Sequence, residues 1–167
     1  MSKTGIFYSF NSQKTKLIAE KIIEMFDENE IEAVNAETVT EEDFMRFDKM
    51  ILGVPTWFDG ELPNYWDELV PAIEDLDLKG KKVAIFGLAD QKGYPENFGD
   101  AVGLMANLLR SVGAEIVGHT SPEGYTYESS KALQNGKFTG LILDQENQAR
   151  LTQERLDMWI IQVKESF

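Results

Sequence analysis

GIFYSFNSQKTKLIAEKI, residues 5–22, starts as an apolar strand, breaks into a polar turn and resumes with helical spacing. Thr4–Tyr8 reads as a buried-type strand, and Leu17, Ile18, Ile22 and Met25 fall on one face of a helix over Lys14–Phe26. The start of a helix leaves free N–H groups and the positive end of its dipole, which suit an anion. Ser9, Asn11, Ser12 and Thr15 add hydrogen-bonding groups there, and Lys14 adds charge. The plainer reading of the same residues is a helix cap rich in Ser and Asn.

The same alternation runs along the chain. Ile31–Ala36 and Lys49–Val54 are the second and third strands, separated by an acidic turn with a cap at Thr40–Asp43. Pro63 sits in the first turn of a helix through Trp66, Leu69 and Val70. Lys82–Leu88 is a fourth strand. Phe98–Val112 is a helix with Val102, Met105, Leu108 and Leu109 inward, stopped by Gly113. Glu115–Gly118 and Gly140–Leu143 are short strand pieces around the polar stretch Thr120–Thr139, and Gln148–Phe167 is a final amphipathic helix. Strands separated by helices imply right-handed crossovers and a parallel sheet covered on both faces. The expected fold is α/β, a doubly wound five-stranded parallel sheet of order 2-1-3-4-5, spanning residues 1–167 as one domain. Ligands bind beyond the carboxyl ends of such strands, so the loops after strands one, three and four are the ones to read.

Composition narrows the partners. The chain has 167 residues, 43% of them hydrophobic, and a formal charge of −13 from 29 acidic and 16 basic residues. Such a balance disfavours nucleic acid and anionic membrane and attracts basic proteins, though it also serves plain solubility. There is no cysteine, so thiol chemistry and disulfides are excluded. The single histidine, His119, ends an apolar run and reads as structural, and no metal site is expected. MSKTGIFYSF lacks the apolar core of a signal peptide, and no apolar run approaches the roughly 20 residues of a membrane span. A cytoplasmic monomer is expected.

The second loop, PTWFDGELP (Pro55–Pro63), places Trp57 and Phe58 side by side, a stacking wall for a flat ring system unless one of them folds into the core. Asp59–Gly60 supplies backbone able to change conformation. In the third loop, GLADQKGYPENFGDA (Gly87–Ala101), Tyr94 between Gly93 and Pro95 is a second wall. Asp90 is an acceptor for a heterocycle, and Asn97 is a cap for the next helix.

Taken together these loops resemble the flavodoxins, most closely the long-chain type of cyanobacteria and algae. The resemblance rests on PTWFDGEL at 55–62, FGLADQKGYPENFGDA at 86–101 and SKALQNGKFTGLILDQENQ at 130–148, with residues 120–139 matching the insertion into the last strand of that group. It implies a flavodoxin-like fold holding non-covalent flavin mononucleotide (FMN). The implied activity is low-potential one-electron transfer between redox proteins in place of ferredoxin, without stand-alone catalysis. Trp57 and Tyr94 would lie on the two faces of the ring. Ser9, Phe10, Asn11, Ser12, Gln13, Lys14 and Thr15 would hold the phosphate. Pro55, Thr56, Phe58, Asp59 and Gly60, with Gly87, Leu88, Ala89, Asp90, Asn97, Phe98 and Asp100, would complete the cofactor site, and Asp144–Glu146 would shape its surroundings. The implied partners are basic-surfaced redox proteins: ferredoxin–NADP reductase, photosystem I or ferredoxin-dependent enzymes.

The first loop departs from the family's Thr/Ser-x-Thr/Ser-Gly-x-Thr. Phe10 stands where the first hydroxyl belongs and Gln13 where the glycine belongs, while Ser12 and Thr15 match. Gln13 is therefore expected in a conformation that glycine adopts more cheaply. Two other readings remain: a flavodoxin-like NAD(P)H-dependent quinone reductase or nitroreductase, and a flavin-free interaction module.

Overall fold

A computed structural model describes residues 3–167. Its central sheet has the order β2-β1-β3-β4-β5, built from β1 (Thr4–Tyr8), β2 (Ile31–Asn35), β3 (Lys49–Gly53), β4 (Lys82–Leu88) and β5 (Glu115–Val117). All these pairings are parallel, with Phe7 opposite both Val34 and Leu52, and Leu52 opposite Ile85. The expected order is correct. The fifth position is shared, because β5 pairs with Lys82–Ala84 of β4 and a second piece, β8 (Leu141–Leu143), pairs with Phe86–Leu88. Residues 118–140 lie between the two pieces and include a small antiparallel hairpin, β6 (Leu133–Gln134) with β7 (Lys137–Phe138).

Strand side chains alternate between faces, and the apolar pattern fills both. Phe7, Met50, Leu52, Val83 and Ile85 join one core cluster, while Ile6, Tyr8, Ile51, Ala84 and Phe86 join the other. The first is covered by α2 (Glu41–Met45), α3 (Asn64–Asp67), α4 (Val70–Glu74) and α5 (Asp100–Ser111). The second is covered by α1 (Lys14–Glu24) and α7 (Thr152–Ser166). Trp66 and Trp159 anchor the two sides, donating through Nε1 to Gly53 O (3.0 Å) and Gly118 O (2.8 Å).

Several boundaries differ from the sequence reading. Thr40–Asp43 does more than turn the chain. Thr40 Oγ1 accepts from Asp43 N while Thr40 N donates to Asp43 Oδ2, a reciprocal box that starts α2. The helix expected from Pro63 is two short ones, because Pro71 has no N–H to continue a helix begun at Asn64. Pro63 itself is the N-cap. On α1, Leu17 is exposed, and the buried face is Thr15, Ile18, Ala19 and Ile22. On α5, Leu108 is only partly buried. The last helix is interrupted, with α6 (Gln145–Gln148) and a 3₁₀ turn (Ala149–Leu151) preceding α7. No helix among the described residues is long and apolar enough to cross a membrane.

Gly140 closes the seam between β4 and β8. A Cβ there would stand 2.1 Å from Ile85 O, and backbone cannot yield as a flexible side chain does. Gly140→Ala is expected to destabilise the fold by about 1–3 kcal/mol. The readout is a lower urea midpoint at unchanged slope.

Candidate functional site

The carboxyl ends of β1, β3 and β4 open onto a cleft of about 620 Å³, lined from all three expected loops. In the first loop, Ser12 N and Oγ both donate to Ser9 O (3.2 and 2.7 Å), and Asn11 N donates to Ser9 Oγ (3.2 Å). These bonds curl the chain into α1, where Lys14, Thr15 and Lys16 are first-turn residues whose N–H groups have no carbonyl within the helix to bond. Gln13 is unstrained: φ −95 and ψ −61 lie in the right-handed helical region open to any residue, so the expected need for glycine is not met here. Phe10 does not line the cleft. Its ring tilts against Tyr8 at 5.0 Å, and its N–H donates to Asn35 Oδ1 (3.2 Å). Two side-chain contacts cross the rim, Lys14 with Glu146 and Asn11 with Glu37.

In the second loop, Trp57 N donates to Glu61 O (2.9 Å) and Glu61 N to Trp57 O (2.7 Å). This closes a turn with Phe58 at φ +48 and Gly60 at φ +91. A phenylalanine in the left-handed region is an uncommon and costly choice. Neither aromatic folds into the core: Phe58 is exposed, and Trp57 lines the cleft. Phe58 and Tyr65 meet the Trp57 ring edge-on at 6.2 and 5.9 Å. Gly60 is required by packing as well as by φ, since a Cβ would stand 2.6 Å from Asp100 Oδ2. Asp100 is almost fully buried and accepts from Lys131 N (2.8 Å), while burial pushes its carboxyl pKa above the ordinary value against that hydrogen bond. Asn97, with its amide nitrogen facing Asp100, donates to Asp100 Oδ2 (3.2 Å) and Asp59 O (3.3 Å). Thr56 Oγ1 accepts from Ala101 N (3.1 Å). The second loop is thereby tied to the start of α5.

In the third loop, Asp90 Oδ1 accepts from Gly93 N (2.8 Å), Lys92 N (3.1 Å) and Asn147 Nδ2 (2.8 Å). The Gly93 N–H leads in holding its carboxyl below the usual range, partly opposed by burial and helped by Asn147, Lys92 and the Lys14 charge. Tyr94 N donates to Asp90 O (3.0 Å), and the Tyr94 ring lines the cleft half-exposed. Behind this loop lies Asp144, fully buried, which accepts from Gln91 N (3.0 Å), Gln91 Nε2 (2.8 Å), Asn147 N (3.0 Å) and Asn147 Nδ2 (2.9 Å).

The Flavodoxin family model matches residues 6–159. This chain belongs to the flavodoxin family. Among its relatives are flavodoxins of Nostoc sp., 39% identical over 99% of this chain and 97% of that one, and of Trichodesmium erythraeum, 41% identical over 100% and 99%. The solved structure of a Fusobacterium nucleatum flavodoxin bound to flavin mononucleotide has a TM-score of 0.94 at 33% identity, covering 100% of this chain and 99% of that one.

Of the residues expected at the flavodoxin site, the cleft gathers Ser9, Asn11, Ser12, Gln13, Lys14 and Thr15 from the first loop, and Pro55, Thr56 and Trp57 from the second. Leu88, Ala89, Asp90 and Tyr94 come from the third, and Gln145 and Glu146 from the start of α6. Others stand elsewhere. Phe58 is turned outward, while Asp59, Gly60, Asn97 and Asp100 form the tie described above. Gly87 packs against Val54 O, where a Cβ would be only 2.3 Å away. Phe98 belongs to the core, stacked on Tyr127 at 5.2 Å. Asn97 does not cap α5. That position is Gly99, at φ +66. Asp144 acts behind the lining rather than in it. His119 lies away from the cleft, 3.1 Å from Arg110 Nη2.

Two lining residues were missed, Glu37 and Tyr65. Glu37 follows the carboxyl end of β2, a loop the same rule could have included. Tyr65 adjoins the buried Trp66 on one helical turn and packs partly against the core while the rest of its surface lines the cleft, a division that residue type alone does not reveal.

Proposed function

We propose that the chain is an electron-transfer protein that binds FMN non-covalently in this cleft and passes single electrons at low potential between other proteins. The observation that supports this best is the pairing, in a flavodoxin-family chain, of two aromatic rings with unpaired first-turn N–H groups in one cleft. The residues present fit the cofactor: Trp57 and Tyr94 offer apolar faces to a flat ring, and the α1 N-terminus offers donors to a phosphate. Bound there, FMN would supply the redox chemistry.

The chain's own part is to bind, orient and bias. The Ser9–Thr15 turn and α1 would hold the phosphate through backbone N–H groups and Thr15, since Ser12 Oγ is already spent on Ser9 O (2.7 Å). Glu37, Asp90 and Glu146 line the cleft beside one cation, Lys14. Their negative charge opposes added electrons on the flavin and so favours a strong reductant. The net charge of −13 steers basic redox proteins to the surface, and ferredoxin–NADP reductase, photosystem I and ferredoxin-dependent enzymes are the partners this reading names. One domain over residues 1–167, with the 120–139 insertion meeting partners, and a monomeric cytoplasmic carrier complete it. The curated relatives are named flavodoxins, and nothing among the described residues favours the NAD(P)H-dependent or flavin-free alternatives.

The test is quenching of flavin fluorescence on titration of the apoprotein with FMN and, in parallel, riboflavin. Thr15→Ala is expected to weaken FMN by roughly tenfold through loss of a hydrogen bond to a charged group, and to leave riboflavin unchanged. Equal loss of both flavins would remove the phosphate from this loop.

A further inference from the structure

Tyr65 lines the cleft with a hydroxyl that the proposed carrier has not used. Its hydroxyl oxygen is buried and finds no hydrogen-bond partner among the described residues, although the side chain lines the cleft. Buried hydroxyls are almost always paired, because an unpaired one loses water without compensation. Tyr125, also largely buried, does find its acceptor, Ile142 O at 2.5 Å. The Tyr65 ring is held by packing on two sides, against Trp57 (5.9 Å, 84°) and Trp66 (6.3 Å, 44°). Burial, followed by the Glu37 carboxylate, pushes its pKa well up, so the hydroxyl keeps a proton to donate. Glu37 lines the same cleft and is held by the Asn11 amide of the first loop. Tyr65 and Glu37 thus give the cleft a donor and an acceptor, between the aromatic plate of Trp57 and the loop that precedes α1.

That combination selects among the parts of a flavin nucleotide. A phosphate can only accept hydrogen bonds and would meet a like charge in Glu37. A ring system has its faces taken by Trp57 and Tyr94, which leaves only its edge, and lumiflavin carries that same edge without the ribityl chain, so it separates the two. A sugar-alcohol hydroxyl can accept from Tyr65 and donate to a carboxylate at once. We infer that the Tyr65 hydroxyl donates a hydrogen bond to a ribityl hydroxyl of the bound flavin. That makes Tyr65 a cofactor-binding residue. The inference rests on the reading of the cleft as an FMN site.

The experiment compares unsubstituted apoprotein with Tyr65→Phe, which keeps the ring and its packing, in fluorescence titrations with FMN, riboflavin and lumiflavin, which lacks the ribityl chain. The expected result is a loss of about tenfold for both FMN and riboflavin, none for lumiflavin, and an apoprotein unfolding midpoint that does not fall. A loss for FMN alone would assign the hydroxyl to the phosphate and overturn the inference. A loss extending to lumiflavin would mean that Tyr65 acts on the ring, at its edge or by positioning Trp57, and unchanged affinity for all three would leave the hydroxyl without a ligand; either outcome overturns it. If the unsubstituted protein fails to bind FMN, it is the carrier reading that falls instead.

Discussion

Asp144→Ala should lower the stability of the fold by about 3 kcal/mol, a large share of the 5–15 kcal/mol typical of a domain. The carboxyl group is completely buried and accepts from the backbone and side chain of both Gln91 and Asn147, at 2.8–3.0 Å. Alanine would leave these donors facing a void. Each buried donor left unpaired costs on the order of 1–3 kcal/mol, and some of that returns if water enters. Urea denaturation of the apoprotein measures the loss, and Asp144→Asn, which keeps one acceptor oxygen, should lose less. The damage should also reach the cleft. Gln91 and Asn147 connect Asp144 to the third loop, and Asn147 donates onward to Asp90 (2.8 Å). A variant that unfolds at the wild-type midpoint would show that these four hydrogen bonds are replaceable.

Trp57→Ala is expected to reduce FMN affinity by about 2 kcal/mol, close to thirtyfold, by analogy with the 1–3 kcal/mol lost when an aromatic platform under a nucleobase is removed. The indole needs little ordering on binding, because Phe58 and Tyr65 already meet it edge-on. The loss should be the same for FMN, riboflavin and lumiflavin, since all three present the same ring. That equality separates Trp57 from Thr15, whose effect is expected to follow the phosphate, and from Tyr65, whose effect is expected to follow the ribityl chain. Discrimination among the three flavins by the Trp57 variant would argue that the ring system does not lie on the indole.

The doubly wound sheet was legible because its central strands are largely apolar runs and its longer helices, α1, α5 and α7, carry apolar faces. What went astray depended on single residues acting through tertiary contacts. Pro71 splits a helix that periodicity alone would continue, and the Thr40–Asp43 box starts a helix too short to show a period. Within the site, residue type identified Trp57, Tyr94 and Thr15, whose side chains line the cleft themselves. It misplaced Phe98, because an aromatic next to a cleft can serve it from behind, as the buried Asp144 does in shaping the surroundings expected of it. Gln13 was misjudged for another reason: the family glycine implied a special backbone conformation that this chain's loop does not adopt.

The divided fifth position of the sheet has a bearing on self-association. A sheet edge displays unpaired backbone groups that can recruit another chain, and long flat edges are the hazard. Here that edge consists of two three-residue pieces, Glu115–Val117 and Leu141–Leu143, with residues 118–140 looped out between them. Neither piece is long enough to template a neighbouring strand. Whatever else residues 118–140 touch, their point of departure guards this edge of the sheet, though not the opposite edge formed by β2, against edge-to-edge pairing.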